Sequence, residues 1–226
     1  IIEEAGKDVT NVKPGDRVAV DICLPCCTCY YCRRGEPLLC NSFKQIGIHV
    51  NGAYAEYVKA PARNCYILPE EIDDYAAAFI EPLTACINAS RKMNCELGAS
   101  VAVIGAGLGT IHALLAKMRG AAPVIVIDSQ EKRLEISKAM SADYVIDITK
   151  TPDAVKEVMR LTNGVGVDYV IEAVGKSETY EQAFKMIRRG GKLEAFGICS
   201  DEDLAKLPPA AFVLQEKKIG GSCAGI

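Results

Sequence analysis

Residues 101–120 read VAVIGAGLGTIHALLAKMRG. An apolar run, a glycine turn and an amphipathic helical stretch follow one another directly. That order is the context a dinucleotide fingerprint requires. Such a turn lets backbone N–H groups and a helix N-terminus meet a pyrophosphate. The next apolar run, VIVID, ends at Asp128. A carboxylate there accepts both hydroxyls of an adenosine ribose and repels a 2′-phosphate, so the expected cofactor is NAD rather than NADP. Asp128 also suits a helix N-cap. The loop candidates are Gly105, Gly107, Leu108 and Gly109. Counted from Gly105, G-x-G-x-x-G puts Thr110 in the third glycine slot; alternatively the loop is one residue short and Gly109 fills it.

From this stretch onward the chain alternates two periods. Apolar runs SVAVIG, APVIVID, ADYVID, VDYVIEAVG, GKLEAFGI and KKIGGSCAG are separated by amphipathic segments, the clearest at 110–119, 130–140, 153–162 and 178–188. This predicts a doubly wound α/β (Rossmann) domain, a parallel sheet with helices on both faces, over residues 86–226. Residues 1–66 differ: RVAVDI, GAYAEYVKA and NCYILP are short runs broken by turns such as KPGD, as in a β-barrel. Residues 69–93 turn helical, and their few charges predict a largely buried helix. The first domain is expected over 1–85, with a cysteine lobe at about 23–42.

That lobe reads CCTCYYCRRGEPLLC from residue 26 to residue 40. Cys26, Cys29, Cys32 and Cys40 are spaced C-x2-C-x2-C-x7-C. Four thiolates suit a tetrahedral zinc and leave no open coordination position, which makes the site structural. An iron–sulfur cluster also uses four thiolates, and a redox pair or unpaired core cysteines are further readings. Cys23 and Cys27 fall outside the spacing.

The net charge of −3 argues against a nucleic-acid surface, and no apolar run approaches the roughly 20 residues that span a bilayer. Eleven cysteines, an odd number, point to a reducing, cytoplasmic compartment where clustered thiols hold metal. Both ends, IIEEAGKDV and IGGSCAGI, read as strand-like, so a longer parent chain is expected.

A four-cysteine loop in a β-rich region followed by a dinucleotide fold resembles the zinc-dependent medium-chain alcohol dehydrogenases. KPGDRVAV, the cysteine lobe, GAYAEYVKAP, AAFIEPLTACINA, the glycine loop and RRGGKLEAFGI carry the likeness. IEPL is similar to the sorbitol, threonine and galactitol-phosphate dehydrogenase branch. The resemblance implies a partial GroES-like barrel and transfer of hydride from a secondary alcohol or polyol to NAD, with a catalytic zinc as Lewis acid. It implies Glu81 as a ligand of that zinc, whose other ligands, a cysteine and a His-Glu pair, are expected upstream of Ile1. His49 and His112 are read as structural. The resemblance further implies cofactor contacts at Leu108, Asp128, Arg133, Val174, Gly175, Phe196, Gly197, Ile198, Ser222 and Cys223. It implies a homodimer or homotetramer, with the last strand as a candidate seam. Three other readings stay open: a non-catalytic NAD-binding protein, a ketone or aldehyde reductase, and a zinc-mediated interaction module.

Overall fold

The computed structural model describes residues 1–225, and they group into two compact units. One comprises Ile1–Ala85 with the chain from Ala224; the other is Cys86–Cys223.

The first unit holds two small antiparallel sheets. Strand β1 (Val18–Val20) pairs with β4 (Cys65–Ile67), and β2 (Cys23–Leu24) pairs with β3 (Lys44–Gln45). Buried Asn64 joins them, its amide donating to the carbonyls of Asp21 and Cys23 at 2.8 and 2.7 Å. Three expectations need correction. IIEEAGKDV forms no strand, although Ile2 exchanges backbone hydrogen bonds with Asp16 and Gly15. GAYAEYVKA also forms none, and Tyr54 and Tyr57 are exposed. Alternation alone makes no strand; it needs an edge to pair with, and none reaches it among the described residues. Residues 69–93 form two helices, α2 (Asp74–Ala78) and α3 (Ile80–Met93), following the short α1 (Tyr30–Arg33) of the cysteine lobe. Asp73 caps α2 by accepting from Ala76 N at 2.8 Å. Only Cys86, Ala89, Ser90 and Met93 are buried on α3, so this segment is not largely buried. Low charge permits burial but does not supply the packing surface.

The second unit is a six-stranded, wholly parallel sheet: β5 (Val101–Ile104), β6 (Val124–Asp128), β7 (Tyr144–Asp147), β8 (Val167–Glu172), β9 (Ile187–Ala195) and β10 (Lys218–Gly221). The last strand stops at Gly221, short of the expected KKIGGSCAG run. The spatial order is β10-β9-β8-β5-β6-β7. Helices α4 (Gly109–Met118), α5 (Glu131–Met140), α6 (Ala154–Leu161), α7 (Ser177–Met186) and α8 (Pro209–Leu214) make the crossovers or follow the last long strand. Side chains alternate along each strand. Val101, Val103, Val124 and Val126 pack against α3, α4 and α5. Ala102, Ile104, Ile125 and Ile127 pack against α6, α7 and α8. Both faces are covered, which is why these strands read as unbroken apolar runs. Each such Val or Ile withdrawn from water contributes about 1.5–3 kcal/mol. The chain winds from β5 outward to β7, then returns to β8 on the other side of β5. The strand order therefore reverses beside β5, the place at the strand ends where ligands of such sheets bind.

Candidate functional site

In the first unit the cysteine lobe is assembled by short-range geometry. The Sγ atoms of Cys26, Cys29, Cys32 and Cys40 all lie within 4.8 Å of one another. Four sulfurs at about 2.3 Å from one tetrahedral ion would be about 3.8 Å apart, so the cage fits a zinc with small adjustments. Cys29 Sγ and Cys32 Sγ are 3.5 Å apart, too far for a disulfide. Backbone N–H groups already aim at the sulfurs. Cys26 N donates to Cys40 Sγ at 3.2 Å, Cys29 N to Cys26 Sγ at 3.4 Å, and Ser42 N to Cys40 Sγ at 3.4 Å. Hydrogen bonds from Thr28 hold the Cys26 thiol down at about 6, and those from Cys32 and Asn41 lower Cys29. Desolvation and the neighbouring thiols push Cys32 up to about 12. Such a set holds its protons unevenly and would surrender them to a divalent cation. Cys27 turns away: its backbone is left-handed at φ 61°, and its thiol is exposed and points to Pro25 O. Cys23 is buried, with Sγ 3.8 Å from Gly225 O.

Glu81 lies in the first turn of α3 and is exposed. Among the described residues the cysteines are the only group of three or more potential metal donors. Glu81 alone therefore does not make a metal site. His49 closes a turn, with Nδ1 accepting from Gln45 N at 3.1 Å.

In the second unit the glycine turn meets the loops after β8 and β9. Gly105 has φ +96°, and a Cβ there would lie 2.8 Å from Val174 Cγ2. Gly109, the first residue of α4, is the close-packing glycine: a Cβ would lie 2.8 Å from Val103 Cγ1. Of the two countings, the shortened loop is the one built. Thr110 faces sideways, with Oγ1 2.8 Å from Ala106 O and 2.6 Å from Ser137 Oγ, bridging α4 to α5. Gly107 has open space around it. At the start of α4, Thr110 N donates to Gly107 O at 3.2 Å and Ile111 N to Leu108 O at 2.9 Å, so the glycine turn runs directly into the helix.

Asp128 ends β6 and is buried. Its Oδ2 accepts from Ala106 N at 2.6 Å and its Oδ1 from Gln130 N at 2.7 Å. It thus ties the glycine turn to the strand end. The N-cap position of α5 belongs to Gln130, not Asp128. Exposed Arg133 brings a guanidinium nitrogen to 3.9 Å from Asp128 Oδ2.

Gly175, at φ +81°, and Gly197 let the two remaining loops touch. A Cβ on Gly175 would strike Ile198 O, and one on Gly197 would strike Gly175 N. The structure thus brings Gly105, Val174, Gly175, Gly197 and Ile198 together. Leu108, Val174 and Ile198 are apolar yet 37, 43 and 93% exposed around them. Phe196 instead packs its ring edge-on against buried His112, centroids 4.3 Å apart. Burial holds His112 down at about 4, and neither ring nitrogen has a hydrogen-bond partner among the described residues. Ser222 N donates to Ala195 O at 3.3 Å, placing Ser222 and exposed Cys223 just past β10.

The reading of the sequence missed Glu172, the last residue of β8, which is fully buried beneath this junction. Its only signal was a carboxylate directly after the apolar run Tyr169–Ile171 in the strand VDYVIE.

Two family patterns match the chain. The one described as zinc-binding dehydrogenase covers residues 107–225, and the one described as alcohol dehydrogenase GroES-like domain covers residues 1–70. The chain is 35% identical over 199 residues to L-threonine 3-dehydrogenase of Bacillus velezensis, covering 88% of this chain and 57% of that protein. It is 33% identical over 226 residues to D-arabinitol dehydrogenase 1 of Uromyces fabae, covering 98% of this chain and 64% of that protein. A crystal structure from Sinorhizobium meliloti 1021 bound to NADP superposes with a TM-score of 0.92 at 29% identity, covering 100% of this chain and 66% of that one. The chain thus spans 57–64% of the length of these two curated relatives.

Proposed function

The chain belongs to the zinc-binding dehydrogenases, and from that premise we propose that it serves an NAD-dependent oxidoreductase acting on secondary alcohols or polyols. The observation that carries this reading is the convergence of three loops, after β5, β8 and β9, at the point where the sheet order reverses. When bound, NAD would supply the hydride acceptor. The turn Gly105–Gly109 and the N-terminus of α4 would hold its pyrophosphate. Asp128 would accept the adenosine ribose hydroxyls, flanked by Arg133. Leu108 would approach the pyrophosphate, Val174 and Gly175 would lie beneath the cofactor, and Phe196, Gly197 and Ile198 would sit near the nicotinamide, with Ser222 and Cys223 beyond. Asp128 favours NAD: a 2′-phosphate would approach a buried carboxylate whose one ion pair among the described residues is the 3.9 Å contact to exposed Arg133.

Cys26, Cys29, Cys32 and Cys40 hold a structural zinc that fixes the lobe, in this proposal. Glu81 is the one residue this chain would contribute to a separate catalytic metal site. Clustered thiols support a reducing, cytoplasmic setting. Among the described residues no helix is long and apolar enough to cross a membrane. Among the described residues the edge of β10 is unpaired on one side, which supports a homodimer, or a homotetramer of such dimers, seamed there.

A second reading, NAD binding without turnover, is favoured by one observation: the cysteines are the only group of three or more donors among the described residues. Fluorescence titration with NADH and NADPH, followed by assays of alcohol oxidation and of ketone or aldehyde reduction, separates the two. Tight NADH binding with turnover in either direction supports the first. Binding without turnover supports the second, and no binding refutes both.

A further inference from the structure

We propose that Glu172 is a positioning residue that shapes the nicotinamide half of the cofactor site; the inference rests on the NAD-binding reading above. Its side chain is fully buried, yet its donors are all neutral. Oε1 accepts from Val174 N and Gly175 N, both at 3.0 Å, and from Thr179 Oγ1 at 2.7 Å. Oε2 accepts a longer bond from Gly175 N at 3.2 Å. The same residue's backbone carbonyl accepts from Phe196 N and Gly197 N, at 3.0 and 2.8 Å. One residue therefore binds the loop after β8 through its side chain and the loop after β9 through its main chain. Gly197 leaves room for this: a Cβ there would lie 2.6 Å from Glu172 Oε2. From the next helix, the hydroxyl of Tyr180 donates to Gly197 O at 2.6 Å, closing the ring of contacts.

The geometry has a directional consequence. Loops carry their own conformational freedom, and a glycine such as Gly175, at φ +81°, gives up the most when it is fixed. Glu172 supplies three acceptor contacts that fix the 173–175 turn. Val174 in turn packs at Gly105, where the glycine turn leaves β5, whereas the adenosine side of that turn is held separately by Asp128 through Ala106 N. Glu172 therefore acts on the nicotinamide half, while Asp128 and the glycine turn act on the adenosine and pyrophosphate half.

The test is calorimetric binding of two compounds to the 226-residue chain: NADH, and ADP-ribose, which lacks the nicotinamide. Glu172→Ala should weaken NADH by about tenfold or more, the effect of losing the hydrogen bonds that hold the turn, while ADP-ribose stays within about twofold. Glu172→Gln keeps an acceptor for the same three donors and should restore most of the NADH affinity. An unchanged NADH affinity in the Ala variant, equal loss of both compounds in a folded Ala variant, or a Gln variant as impaired as Ala would each overturn the inference. Should the Ala variant not fold, Thr179→Val decides: several-fold weaker NADH with unaltered ADP-ribose supports the proposal, and no change in NADH overturns it. A wild-type chain that binds neither compound refutes the cofactor reading itself, and this inference with it.

Discussion

Replacing Asp128 tests stability and cofactor choice at one position. Its two acceptor bonds are unequal in setting. Ala106 N is buried, whereas Gln130 is exposed and its N–H can turn to water. Asp128→Ala strands the Ala106 N–H, a loss of about 1–3 kcal/mol. At about 2–4 °C per kcal/mol for a chain of this size, melting should fall by about 2–12 °C. Asp128→Asn keeps one acceptor, which goes to Ala106, and turns its amide toward the exposed side. It should cost only about 0.5–1.5 kcal/mol. Both variants remove the charge that opposes a 2′-phosphate. The ratio of NADPH to NADH affinity should therefore rise by about tenfold, equivalent to 1.4 kcal/mol, in each. Differential scanning fluorimetry gives the first comparison and paired titrations the second. Equal melting of Ala and Asn variants would show that the bond to Ala106 does not hold the turn. An unmoved cofactor ratio would show that Asp128 does not face the ribose, whatever it does for stability.

Elemental analysis should find one zinc on the cysteine lobe, lost in Cys40→Ser and kept in Cys27→Ser; retention in the first would displace the four-cysteine assignment. Glu81→Ala should cut turnover strongly yet leave NADH affinity within about twofold, because an exposed first-turn residue adds little to folding; lost NADH binding would make Glu81 structural. His112 gives a pH signature. Its folded value, held by burial at about 4, lies below its unfolded value of 6.5, so the unfolded chain binds the extra proton. Stability is therefore full above 6.5 and declines as pH falls toward 4, by about 3 kcal/mol in all. The depressed carboxylates Asp143 and Asp168 act lower, their unfolded value being 3.8. Urea midpoints measured from pH 7 to pH 4.5 should fall in the wild type and flatten in His112→Leu; parallel curves would rule out His112 as the titrating group.

The parallel sheet was legible because burial on both faces leaves little choice of residue. The expected helices at 110–119, 130–140, 153–162 and 178–188 lie within a residue or two of Gly109–Met118, Glu131–Met140, Ala154–Leu161 and Ser177–Met186. The cysteine cage was legible because its spacing is local. What was missed depended on distant partners. Counting could not decide between Thr110 and Gly109; the nearness of Val103 does. Glu172 read as an ordinary strand end, because its donors come from residues two, three and seven places later that fold back over it. GAYAEYVKA has a strand's pattern without an edge to pair with, and pattern cannot report a missing neighbour. The exposure of α3 failed to show for the same reason: composition records what could be covered, not what covers it.

The order of strands also sets a timetable for synthesis. Strand β5 pairs with β6 on one side and β8 on the other, and β8 is made last of the three, after β7 and α6. As the chain leaves the ribosome, β5, β6 and β7 can associate while the inner edge of β5 stays bare until Val167–Glu172 emerges. That edge carries Val101, Val103 and Ile104, among the most deeply buried residues of the finished protein. At about 5–20 residues per second the delay is a few seconds, long compared with collapse and with contact between unpaired strands of neighbouring nascent chains. The reversal of strand order that marks the ligand end of the sheet thus also makes β5 the segment most in need of a chaperone's protection during translation.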